Sequence, residues 1–151
     1  MLLLLTACVS RDYTASNRAI ICNESLHDLR LEYYRYGQVQ ENLTVEVKSK
    51  ECNQVFSATG RGSTSNYFNE IKDMDSAVIT FSDSFKFVHY GYQKTGSNPK
   101  SYSNSHVRNI IGDGNGLKDA WVLKILKQTK HIKSTEHQYS FREDDYFFSK
   151  K

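Results

Sequence analysis

Between residues 29 and 141 apolar side chains fall at every second position in several short runs, the pattern of strands that bury one face and wet the other. Leu29, Leu31 and Tyr33 alternate with Arg30, Glu32 and Tyr34, and Leu43, Val45 and Val47 alternate with Thr44, Glu46 and Lys48. Residues 37–42 supply a turn between these runs, so the two predict a hairpin. Residues 55–58 predict another short strand, and the glycine and hydroxyl residues of 60–65 a loop.

Residues 76–90 form the clearest unit. Ala77, Ile79 and Phe81 share one face, Ser82, Asp83 and Ser84 break the run, and Phe85, Phe87 and His89 share a face of the return strand while Lys86 points away. A polar loop over residues 91–104 holds Pro99, the single proline, and residues 107–111 predict a return to the sheet before an obligate turn at 112–116. Residues 121–128 fit two periods: Trp121, Val122, Ile125 and Leu126 stripe a helix, whereas Trp121, Leu123 and Ile125 share one face of a strand. No capping box precedes the segment and no glycine closes it before His131, so the strand is preferred. Residues 136–141 predict a last strand with Tyr139 and Phe141 inward, and residues 143–148 a terminal turn that packs aromatics back onto the domain. The expected fold is all-β, an antiparallel β-sandwich, Ig-like or related, of seven to eight short strands without a helix.

Composition supports a folded chain. With 38% apolar and 25% charged residues, the 151-residue chain lies far from the profile of disorder and suits one core. No apolar run approaches the ~20 residues of a spanning helix. The 20 basic and 17 acidic side chains are interspersed, which argues against a nucleic-acid partner.

The amino terminus changes the picture more. Residues 1–7 are apolar and run through Leu5, Thr6 and Ala7 into Cys8, after which the chain turns polar. The order resembles a bacterial lipobox, in which the cysteine sulfur receives a diacylglycerol and the signal is cut just before it. No basic residue precedes Cys8 and the apolar stretch is short for a signal peptide, which predicts a true start further upstream. The alternative is an ordinary apolar terminus opening a first strand. On the lipobox reading residues 1–7 are a signal remnant, residues 8–18 carry the lipid and form a polar tether, and residues 19–151 are a single β-domain. Cys22 and Cys52 then remain as a candidate disulfide in an oxidising compartment, or as two buried free thiols.

The lipobox, the string DSAVITFSD at residues 75–83, NII at 109–111 and HQYSFREDDY at 137–146 together resemble the small uncharacterised lipoproteins of gut Bacteroidetes. The resemblance implies a β-sandwich-like domain, anchored in the cell envelope by a lipid on Cys8 and at the outer membrane in preference to the inner. It implies no reaction. Residues 9–12 do not match the acidic export signal of many such lipoproteins, so the leaflet stays open. It also implies O-glycosylation at Ser76, since Asp75, Ser76 and Ala77 match the acceptor tripeptide of that phylum.

Candidate chemistry is sparse. Gly112, Asp113, Gly114, Asn115, Gly116 and Asp119 suggest a calcium loop, but counting from Asp113 the fifth and sixth positions are Leu117 and Lys118, where an EF-hand has a ligand and glycine. His27, His89, His106, His131 and His137 form no metal-site spacing, and no nucleophile elbow or related hydrolase motif occurs. His89 is expected to be a partly buried core histidine. Glu143, Asp144 and Asp145 would serve a glycosidase only with a distant partner. Lys118, Lys124, Lys127, Lys130 and Lys133 suit an edge strand protected against aggregation. Tyr33, Tyr34, Tyr36, Tyr90, Tyr92 and Tyr102 are weak sugar-stacking candidates, shared with core packing. The expectation is a non-catalytic binding or structural module without cofactor or metal, with a glycan or an envelope protein as its partner. A glycan-binding accessory protein is the alternative, and a hydrolase a more distant one.

Overall fold

Nine strands and two short helices are present in the computed structural model, which describes residues 13–91, 110–111 and 121–150. The strands are β1 (Thr14–Asn23), β2 (Leu29–Arg35), β3 (Gln38–Val39), β4 (Val45–Val47), β5 (Cys52–Arg61), β6 (Ser76–Phe81), β7 (Lys86–Tyr90), β8 (Val122–Gln128) and β9 (Ile132–Phe141). The helices are α1 (Tyr67–Ile71) and α2 (Glu143–Ser149). One sheet has the order β5-β1-β9-β8; in the other β2 pairs β6 on one side and both β3 and β4 on the other, and β7 follows β6. The fold is an all-β sandwich.

Alternation places the core. Leu29, Leu31, Tyr33, Ala77, Ile79, Phe81 and Phe87 of one sheet face Ala19, Ile21, Tyr139 and Phe141 of the other, all buried. Tyr67 of α1 bridges the layers, meeting Tyr33 edge-on at 6.3 Å and Trp121 at 5.6 Å, and Trp121 in turn lies 5.5 Å from Tyr139. The β6/β7 hairpin pairs Ile79 with Phe87 and Ala77 with His89, and Lys86 is exposed, as the alternation predicts.

Several expectations are corrected. β1 starts at Thr14, so residues 14–18, read as tether, are strand. β1 runs parallel to β9, a direction that side-chain alternation does not encode. The β2–β3 turn sits at Tyr36 and Gly37, both with positive φ (52° and 72°), the backbone of a two-residue I′ hairpin. Phe85 lies before β7 begins and is 40% exposed rather than core. β8 is a strand, but only Trp121 beside it is buried; Leu123 and Ile125 are exposed on this edge strand. Residues 143–149 are helical where a turn was predicted, and α1 was not predicted at all.

Candidate functional site

The edge strands β4 and β5 belong to different sheets and approach each other at one side of the sandwich. The Asn53 side-chain amide of β5 donates to the Glu46 carbonyl of β4 and ties the two edges together. Beside this tie lies a cleft of about 370 Å³. That is within the lower part of the ~300–1,000 Å³ of small-molecule sites.

Local sequence builds each wall. On one side a 3-10 turn at Glu41–Leu43 carries the chain into β4, closed by Leu43 and Thr44 amides donating to the Gln40 and Glu41 carbonyls, and presents Asn42, Leu43, Thr44, Val45 and Glu46. On the other side β5 bulges: Phe56 pairs with Ala19 and Gln54 with Ile20, which leaves Val55 as the extra residue. Asn53, Gln54 and Val55 line that wall. Tyr67 completes the lining from the first turn of α1, whose start is capped by the Asn66 side chain accepting from the Asn69 amide at 3.1 Å.

Two of these residues hold buried hydroxyls without a hydrogen-bond partner, Thr44 Oγ1 and Tyr67 Oη. An unmet buried hydroxyl costs about 1–3 kcal/mol. Tyr67 is 2% exposed, and burial pushes its phenol well above the ordinary range, so it is a neutral donor. Tyr33 Oη, buried behind it, is raised in the same way, and the two phenol hydroxyls lie beside each other without reaching good hydrogen-bond geometry. Glu46 is the one charged side chain of the lining among the described residues, and Arg30 already pairs with it at 3.1 Å.

Among the described residues, those singled out from sequence as candidate sites lie outside this cleft. Cys8 lies outside the described residues, as do His106, Tyr92, Tyr102 and the 112–119 segment. Cys22 and Cys52 are bonded, directly opposite each other in the β1/β5 register. Ser76 is half-buried in β6 between Tyr34 and Tyr90, the three sharing the outer face of their sheet. Tyr33 is core, and Tyr36 stands 88% exposed in its turn. His89 is fully buried; its Nδ1 accepts from the Ile110 amide at 3.1 Å, Nε2 has no partner, and burial pulls its pKa down to about 3. Glu143 accepts from the Leu26 amide and Asp145 from the Arg142 amide, so these two carboxylates of the acidic cluster anchor backbone. Lys124 of β8 pairs with the buried Glu136, which also accepts from Arg18 at 2.7 Å. Among the described residues no group of His, Cys, Asp and Glu converges as a metal site.

Sequence reading missed the cleft because its walls come from three separated segments. One signal was present: Val55 and Phe56 are consecutive apolar residues, which breaks the alternation kept by Phe56, Ser57, Ala58 and Thr59 and is consistent with a bulge. No protein-family model, curated protein or solved structure matches the chain.

Proposed function

We propose that the protein is a lipid-anchored module of the bacterial cell envelope, held through Cys8, whose sandwich binds a small ligand between β4 and β5 without transforming it. The observation that carries binding is the cleft, lined by neutral amide and hydroxyl side chains, with the unpartnered buried hydroxyl of Thr44 and the poorly partnered one of Tyr67 in its lining. Anchoring rests on the Leu5 to Cys8 motif, and the Cys22–Cys52 bond supports a compartment outside the reducing cytosol. Two measurements test the reading. Labelled palmitate fed to an expressing bacterium should enter the wild type and not Cys8→Ser; equal labelling ends the anchoring claim. Small molecules extracted from the native envelope should shift the backbone resonances of Thr44, Gln54 and Tyr67; a spectrum unchanged at those positions ends the binding claim.

A further inference from the structure

We infer that the β4/β5 cleft takes a single neutral sugar ring; this rests on the binding reading above and names its ligand class. Charge narrows the choice first. Among the described residues no lysine, arginine or histidine lines the cleft, so an anionic ligand finds no counter-charge from them there. A cation fares little better, because Glu46 is already paired with Arg30.

The polar groups narrow it further. Asn42, Thr44, Asn53, Gln54 and Tyr67 supply three amides and two hydroxyls, and these side chains both donate and accept. A sugar hydroxyl does the same, so it can satisfy an amide and a hydroxyl at once. Asn53 has committed its amide nitrogen to the Glu46 carbonyl, which leaves its carbonyl oxygen as an acceptor. Thr44 Oγ1 is a buried group without a partner, and Tyr67 Oη has only the poorly aligned Tyr33 hydroxyl beside it. Between these lie Leu43, Val45 and Val55, half-buried aliphatic side chains that match the C–H faces of a pyranose better than they match a wholly polar solute. Size agrees: at about 370 Å³ the space accommodates one sugar ring. The ring arrives either as a free monosaccharide or as the end of a longer glycan.

The test is nitrogen-15 shift mapping on the full chain, titrated with the methyl glycosides of glucose, galactose, mannose and N-acetylglucosamine, and with glucuronate as the anionic control. At least one methyl glycoside should shift Thr44, Gln54 and Tyr67, and bind more tightly than glucuronate. Tyr67→Phe and Thr44→Val should each weaken that binding about tenfold, the size of one lost buried hydrogen bond. Asn42→Ala, on an exposed side chain of the wall, should weaken it without touching the core, and thermal melts identify any variant that fails to fold. An oligosaccharide ending in the preferred sugar separates the two sources: tighter binding than the monosaccharide marks a glycan end, equal or weaker binding a free sugar. The inference is overturned if no glycoside shifts these residues, if glucuronate binds best, or if all three variants bind as wild type. Should the glycosides fail while envelope extract still shifts the cleft, the sugar assignment falls and the binding module stands; should both fail, both fall.

Discussion

The imidazole of His27 lies flat against the ring of Tyr146, with centroids 3.6 Å apart and planes inclined by 19°. This stack fastens α2 to the end of the sandwich. Tyr146 is buried, meets Phe81 edge-on at 5.2 Å, and donates its hydroxyl to Asp83 in the β6/β7 turn, while Lys150 covers its ring at 4.3 Å. The Tyr146 hydroxyl holds the Asp83 carboxyl below its ordinary value.

A pH dependence follows from that bond. Because the folded pKa of Asp83 is depressed, its contribution is present above the unfolded value of 3.8 and is lost as pH falls through the folded one. Tyr146→Phe keeps the ring and removes the bond. Its melting temperature should lie below wild type at pH 7, and the gap should close on acidification below about pH 3 to 4. A gap that stays constant down to pH 2 contradicts the assignment.

His89 gives a second, higher window. Unfolded, a histidine takes up its proton near pH 6.5; folded, burial delays this to about pH 3. Between those values the unfolded chain binds more protons, so stability is full above pH 6.5 and declines as pH falls through the window, by at most about 1.4 kcal/mol per unit. Half-buried His137, lowered for the same reason, adds a smaller share. His89→Gln leaves an acceptor for the Ile110 amide and does not titrate. Urea melts of this variant between pH 7 and 4 should show a distinctly flatter decline, and an unchanged slope would place the proton elsewhere.

Phe85 and Phe87 test the register of the hairpin. Phe87 is 7% exposed and packs beside Phe81, whereas Phe85 is 40% exposed at the edge of Tyr146. Phe87→Ala should cost about 3–5 kcal/mol, Phe85→Ala well under half of that, and Lys86→Ala under about 0.5 kcal/mol. Denaturant melts that rank Phe85 or Lys86 above Phe87 would invert the strand faces.

That hairpin was legible because its strands are neighbours in sequence and bury one face. Phe85 was misplaced by extending its alternation one residue before β7 begins. The parallel β1–β9 pair left no trace, since alternation is blind to direction, and five-residue α1 is shorter than two helical turns despite its Asn66 cap. Tyr67 was invisible as a site residue for a related reason. Its role depends on Thr44, which follows the 3-10 turn just before β4, and on Gln54 of β5 in the other sheet, and both reach the same cleft.

The bond between Cys22 and Cys52 joins β1 to β5 where the two strands first pair, across a separation of 30 residues. Closing a loop of that size restricts the unfolded chain by about 3.6 kcal/mol in the loop-entropy account, a large share of the ~5–15 kcal/mol that holds a domain together. Cys22 is buried and Cys52 exposed, so a reductant reaches the bond from one side only. The double variant Cys22→Ala with Cys52→Ala should lose about 2–4 kcal/mol in urea melts, and wild type in dithiothreitol should lose a similar amount. It should also keep the β4/β5 cleft, because neither cysteine lines it. Alkylation of the unreduced, denatured protein gives an independent check. Mass spectrometry should find the peptides of Cys22 and Cys52 unmodified and linked, and alkylation of both would show that the bond does not form.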